Sequence, residues 1–365
     1  MTGFGSAWIS RSMRICLTSF GTKTKHPGKS GNENYMQGEN SYWEDKNVFV
    51  TGATGILGSW LVKRLLDENA NVIVLKRDHV PKSELELSGA VKMVNIVHGN
   101  LEDYWTVERA LNEYEIDTCF HLAAQAIVQT SNRSPLPTFE ANIRGTWNLL
   151  EALRDNKLIK RIVVASSDKA YGEQTKLPYK EESSALNGKH PYDASKSCCD
   201  LIAQSYAHTY KMPIGVSRCG NIYGGGDLNF NRIVPGTIRS ILKNESPVIR
   251  SDGTYIRDYF YVEDAVDAFF TLGKSLDKKE IHGQAFNFGS EMPISVIGIV
   301  NKMLKIAGSK LKPKILAEAT NEIKEQYLDC SKAHKLLRWR SATKLDEGLK
   351  KTIAWYKKFF NRGEI

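Results

Sequence analysis

The chain has 365 residues, 41% hydrophobic and 25% charged, a composition typical of a globular enzyme and a length that suits about two domains. No stretch approaches the ~20 consecutive apolar residues of a membrane span, so a soluble protein with no membrane partner is expected. The net charge of +9 sits at the ends, +4 over residues 1–35 and +7 over residues 331–365; the middle stays near −2, which argues against a nucleic-acid groove.

Residues 1–44 are rich in Gly, Ser, Thr and Lys without sustained periodicity and read as a disordered leader or a mis-assigned start. Arg and Ser with few acids resemble an organelle transit peptide, while the apolar core of a secretory signal is missing. The reading adopted is that Met36 is the true start. Cys16, Cys119, Cys198, Cys199, Cys219 and Cys330 show no metal-ligand spacing, so small buried hydrophobes in a reducing, cytoplasmic setting are expected, with no metal.

The first buried strand is expected over 47–51 (NVFVT), followed by Gly52-Ala-Thr-Gly55-Ile-Leu-Gly58 and an amphipathic helix over 59–68. Strand, glycine turn and helix in that order open a dinucleotide-binding fold. The backbone at Gly52, Thr54, Gly55, Ile56, Leu57 and Gly58 is the expected pyrophosphate cradle, because free N–H groups and the helix dipole face the phosphates there. The second strand, 71–75, runs into Lys76 and Arg77, basic residues that suit the 2′-phosphate of NADP. The alternative, NAD with Asp78 on the ribose, stays open.

A third strand over 94–97 leads to Asn100 and Leu101, candidates to flank the adenine. A fourth, 118–122, ends in Leu122-Ala123-Ala124-Gln125, small residues that let a cofactor lie close to the backbone. His121 reads as a packed core residue. Residues 137–155 show helical spacing, with Asn142 on a neighbouring face, and the β-branched run 161–165 (RIVVA) reads as a buried strand. Such alternation predicts a doubly wound parallel sheet of the α/β class, a dinucleotide-binding domain over 45–215 and a smaller C-terminal α/β substrate domain over 216–365 with segments returning to the core.

Ser167, Asp168 and Lys169 follow the fifth strand at its carboxyl end, where ligands bind in open α/β sheets. Tyr-x-x-x-Lys occurs at Tyr42/Lys46, before the first strand, and at Tyr192/Lys196, where a helix over 194–210 puts the lysine one turn from the phenol. A phenol is a poor base at neutral pH until a nearby cation favours the phenolate. Tyr192, Lys196 and Ser167 together suit proton removal from an alcohol whose carbinol hydride goes to nicotinamide.

These motifs, with Arg218-Cys-Gly-Asn221-Ile-Tyr-Gly-Gly-Gly-Asp227 and Ser251-Asp-Gly-Thr-Tyr-Ile-Arg257-Asp258, resemble the extended short-chain dehydrogenase/reductases that act on nucleotide sugars, over roughly residues 45–358. Within that group the SSDK stretch, the AAQ segment and GNxxGGGD are similar to the CDP-glucose 4,6-dehydratase type, whereas Tyr255 to Asp264 looks more like epimerases and other hexose dehydratases. The resemblance implies a tightly bound, recycled NAD(P), a homodimer formed by the helices near 137–155 and 194–210, and a nucleotide-diphosphate hexose substrate. It also implies substrate contacts at Gln125, Asn142, Asn221, Arg232 and Arg257, with Asn221 and Arg257 on the diphosphate.

Asp168 separates two activities. A 4,6-dehydratase must expel the C6 hydroxyl and needs a placed acid; related 4-epimerases do not and usually carry a small residue there. The resemblance implies that Tyr192 takes the C4 hydroxyl proton, a base removes the C5 proton and Asp168 protonates the departing C6 oxygen. Many hexose dehydratases place Glu after the Asp as the C5 base; here Lys169 stands there, and whether it is a base or an orienting group stays open. The alternatives are a 4-epimerase and, remotely, a non-catalytic NAD(P)-sensing protein.

Overall fold

The computed structural model describes residues 41–318 and 322–362; residues 1–40, with Met36 and Cys16, lie outside the described residues. The fold already includes the end of the expected leader, because Trp43 is 2% exposed and packs on Phe120 and Phe270 in the core. Strands β1 (Asn47–Thr51), β2 (Asn71–Lys76), β3 (Asn95–His98), β4 (Thr118–His121), β5 (Arg161–Ala165) and β6 (Ile214–Cys219) join a seventh, Ala285–Phe288, in one sheet. Its order is Ala285–Phe288, β6, β5, β4, β1, β2, β3, and every pairing is parallel. Strands such as NVFVT and RIVVA are apolar on both faces because helices cover both. Val48, Val50 and Val74 pack into one core layer, and Phe49, Ile73 and Ile162 into the other. The Rossmann-type, doubly wound α/β fold expected from the sequence is therefore present.

The chain winds outward from β1 to β3, then returns to begin again at β4 on the opposite side, so β1 and β4 are neighbours, with Thr51 opposite His121. At that reversal the crossovers diverge and leave a crevice at the carboxyl ends. Helix Ile56–Asp67 starts immediately after the glycine turn and buries Leu57, Leu61, Val62 and Leu65. It begins three residues earlier than its apolar periodicity indicates, because Gly55 already serves as the N-cap.

Residues 137–155 are not one regular helix: Pro135–Phe139 and Gly145–Asp155 are joined by a π-helical segment, Glu140–Arg144. The Thr146 hydroxyl and the Cys199 thiol both donate to the Asn142 carbonyl in that segment, satisfying an acceptor that widened backbone exposes. Helix Pro191–Tyr210 begins at Pro191, whose missing N–H costs nothing in a first turn.

Later strands build a second layer. Ile256–Tyr261 pairs with Asn221–Tyr223 and Glu325–Gln326 in parallel and with Pro293–Ser295 antiparallel. Helix Leu345–Asn361 closes it, burying Leu349, Ile353, Tyr356 and Phe359. The Tyr356 hydroxyl donates to the Asp227 carbonyl at 2.6 Å, and the Trp355 ring lies where a Cβ on Gly225 would have to go.

Candidate active site

The carboxyl ends of the sheet open on a cleft of about 1180 Å³, larger than the few hundred to ~1,000 Å³ of most single-ligand pockets. Gly52, Thr54, Gly55, Ile56, Leu57 and Gly58 line it, as do Lys76, Arg77, Leu101, Leu122, Ala123 and Ala124. Asn100, Gln125 and Asn142 are not among its lining residues. Asn142 is fully buried; its amide accepts from the Gln125 N–H at 2.7 Å and donates to the Ser195 hydroxyl at 2.9 Å, so it ties the strand-end loop to helix Pro191–Tyr210. Asn100 is exposed.

The glycine turn fits a dinucleotide on geometry alone. Gly52 has φ +75°, and a Cβ there would come within 2.7 Å of the Ala123 nitrogen. A Cβ on Gly58 would lie 2.1 Å from the Gly52 carbonyl oxygen, so helix and turn approach as closely as only glycine permits. The first turn of helix Ile56–Asp67 carries no acidic residue and no side-chain cap, leaving its N–H groups free for phosphate. Of the basic pair after β2, Lys76 is buried and bound to Glu86 at 2.6 Å, while Arg77 is exposed and paired with Asp78 at 2.7 Å.

Ser167, Asp168, Lys169, Tyr192 and Lys196 all line the same cleft. Ser167 caps the short turn Asp168–Tyr171: its hydroxyl accepts from the Lys169 N–H at 3.2 Å and donates to Asp168 Oδ1 at 3.1 Å. Burial raises the Tyr192 phenol well above its ordinary value; the Ser167 hydrogen bond and the positive charge of Arg232 oppose that rise. Lys196 is buried, donates to the Ala165 carbonyl at 2.8 Å, and is pushed below its ordinary value by burial. Its ammonium thus sits on the end of β5; of the charges that bear on the phenol, Asp168 and Asp193 raise it further and Arg232 lowers it.

Asp168 is only 2% exposed, and burial lifts its carboxyl from 3.8 to about 6 against the pull of Lys169, Ser167 and Arg257. Its Oδ2 has no hydrogen-bond partner among the described residues. Lys169 donates to Gln326 Oε1 at 3.0 Å and is lowered by burial, with Asp168 raising it and Arg257 lowering it further. Arg232 is held by Asp227 at 3.0 Å, and Arg257 lies 3.7 Å from Glu322, its charge felt by both Asp168 and Lys169. His121 bonds Thr51 and Thr146 through its two ring nitrogens and falls to about 3 through burial and the charge of Lys196, so it is a neutral packed residue.

Five of the nine buried side-chain polar atoms that lack a partner among the described residues belong to Ser166, Asp168, Asp193, Asn221 and Thr237, all on this cleft. Buried polar atoms are otherwise almost always paired, so their concentration marks a surface shaped for a polar ligand. Sequence reasoning did not single out Asp193, His190, Arg239, Arg250 or Tyr259, which also line the cleft. Asp193 stands inside the Tyr-x-x-x-Lys spacing, where it counted only as a spacer. Arg250 and Tyr259 flank the recognised Arg257 segment, and that proximity was the available signal.

A parallel sheet reversing between β1 and β4, a glycine-lined helix start beside it, and Ser, Tyr and Lys converging at the end of the next strands define an enzyme of the extended short-chain dehydrogenase/reductase class. Residues 48–289 match the NAD dependent epimerase/dehydratase family, and the chain belongs to that family. It is 30% identical over 343 residues to CDP-glucose 4,6-dehydratase of Salmonella typhimurium, covering 89% of this chain and 94% of that protein. It is equally 30% identical over 322 residues to UDP-glucuronate 4-epimerase of Thermodesulfobacterium geofontis, covering 84% and 95%. UDP-glucose 4-epimerase of Thermotoga maritima superposes with a TM-score of 0.79 at 27% identity, covering 86% and 99%.

Proposed function

We propose that the chain is a nucleotide-sugar 4,6-dehydratase, converting a nucleotide-diphosphate hexose of the CDP-glucose kind to its 4-keto-6-deoxy form. One observation carries this reading: Asp168 is a buried carboxylic acid held near pKa 6 with one oxygen unpaired and lining the cleft. Proton donation to a poor leaving group needs such an acid, and an epimerase has no use for it. Relatives of both activities match equally well, so their names do not decide between them.

The chain's own residues perform the proton chemistry. Tyr192, with Ser167 on the same hydroxyl, takes the C4 hydroxyl proton; Arg232 favours the phenolate that burial disfavours. A nicotinamide cofactor held at the glycine turn 52–58 would supply the hydride chemistry at C4 and C6. Asp168 gives its proton to the C6 oxygen, which leaves as water. Asn221, with an unpaired amide nitrogen, Arg232 and Arg257 suit the diphosphate side of the substrate.

Residues 45–215 then hold the cofactor and residues 216–365 most of the substrate. The cofactor reading is NADP, resting now on Arg77, whose pair with Asp78 is exposed, because Lys76 is buried in its pair with Glu86. Titration of the cofactor-free protein with NADP and NAD tests it, and an NAD preference refutes it. A homodimer and a cytoplasmic setting complete the proposal: Trp147 and Leu201 are exposed on the two helices that would meet, and the described cysteines are all free thiols. Incubation with CDP-, dTDP-, GDP- and UDP-glucose should yield a product lighter by one water with one of them. Isomerisation without water loss would select the 4-epimerase instead.

A further inference from the structure

The dehydration needs a base at C5, and the position where many hexose dehydratases carry a glutamate is Lys169. That lysine's Nζ is already engaged, donating to Gln326 Oε1 at 3.0 Å. Burial lowers it, with Arg257 acting the same way and Asp168, Asp193 and Glu322 opposing. A second carboxylate that bears on it keeps one oxygen unengaged. Asp193 is 5% exposed, directly follows Tyr192, lines the cleft, and carries a buried Oδ1 with no hydrogen-bond partner among the described residues.

We propose that Asp193 is the general base that removes the C5 proton of the sugar, through Oδ1, with Lys169 remaining an ammonium beside it. The proposal rests on the 4,6-dehydratase reading. In the step, the C5–H bond breaks and its proton passes to Asp193 Oδ1. The freed electron pair forms the C5–C6 double bond as the C6–O bond breaks, and the departing oxygen takes the Asp168 proton and leaves as water. The charge of the ammonium on Lys169 stabilises the negative charge that develops toward the 4-keto oxygen.

Two features fit this role. Burial holds the Asp193 carboxyl above its ordinary value, with Lys169 and His190 as the charges that oppose the rise, so it is a stronger base than a solvated aspartate. Asp193 also lines a second cavity of about 230 Å³ with Gly172, Glu173, Lys189 and His190, so it borders both the main cleft and a polar chamber into which a captured proton can pass. A first-turn aspartate does favour a helix start, but a solvated one does this equally well and would not leave an unpaired oxygen buried against the cleft.

The test uses the full chain in deuterated water with CDP-, dTDP-, GDP- and UDP-glucose as probes. Reduced-nicotinamide absorbance follows C4 oxidation; mass spectrometry follows deuterium at C5 and loss of water. Asp193→Asn should retain C4 oxidation while C5 exchange and water loss fall by ~10²–10⁴-fold, the usual worth of a general base. Asp193→Glu should restore part of the exchange, and Lys169→Met, which removes a stabilising charge but not the base, should lower it without abolishing it. Asp193→Asn exchanging at the wild-type rate, losing C4 oxidation in parallel, or leaving Lys169→Met as the variant without exchange would each overturn the proposal. Failure of the dehydratase reading looks different: the unmodified chain would isomerise a probe with neither water loss nor C5 exchange.

Discussion

Replacing Asp168 by Asn separates two consequences of one buried carboxyl. Chemically, Asn cannot donate the proton that releases the C6 oxygen, so water loss should fall by ~10²–10⁴-fold while C4 oxidation continues. Thermodynamically, the same change should stabilise the fold. The carboxyl rises from 3.8 to about 6 on folding, roughly two units, worth about 3 kcal/mol at 1.36 kcal/mol per unit. The sign follows from proton uptake. Below the unfolded value both states are protonated and nothing is lost. As pH climbs from 3.8 through 6 the unfolded chain ionises before the native one, and stability falls until both are ionised. The variant escapes that loss, so its advantage should be absent near pH 4 and reach at most about 3 kcal/mol above pH 6. Denaturant unfolding of both proteins at about pH 4 and about pH 7.5, beside the mass-spectrometric assay, measures each part. Normal dehydration by the variant, or a stability gain equal at both pH values, would refute the reasoning.

Tyr192→Phe keeps the ring packed but removes the proton acceptor, so C4 oxidation and dehydration should disappear together, read as loss of the transient reduced nicotinamide. Gly58→Ala would put a methyl 2.1 Å from the Gly52 carbonyl oxygen; NAD(P) affinity should collapse, with the ~1–3 kcal/mol cost of overpacking in unfolding experiments. Asp200 holds Arg218 through two bonds of 2.8 and 2.9 Å in a fully buried pair, so Asp200→Asn should cost ~3–5 kcal/mol in denaturant unfolding, and a loss within error would show the guanidinium is relieved elsewhere.

The sheet was legible because a strand buried on both faces leaves a continuous β-branched signature, and β1 and β5 fall on the residues their composition marks. The glycine turn was legible for a steric reason, since the close approaches at Gly52 and Gly58 tolerate nothing larger. The π-helical segment was not, because it depends on Thr146 and on Cys199, the latter 57 residues away from the carbonyl it satisfies. Charge neighbourhoods were hidden for the same reason. One-turn spacing put Lys196 next to Tyr192, but it did not show that the ammonium donates to the Ala165 carbonyl or that the phenol also feels Arg232 at the start of a later helix. Lys76 lost its availability to Glu86, ten residues on, through a pairing that periodicity does not encode. Asp193 went unremarked because a motif written with blanks invites the reader to skip them.

The hydrogen bond from Tyr356 to the Asp227 carbonyl has a consequence in time. Asp227 positions Arg232, the cation that bears on the Tyr192 phenol, yet its own backbone is tied to a helix 129 residues later in the chain. During synthesis the glycine turn, the first five strands and the Ser167 turn all emerge long before that helix does. A nascent chain can thus form the glycine turn and the Ser167 turn while the segment that carries Arg232 still lacks the helix that ties its backbone.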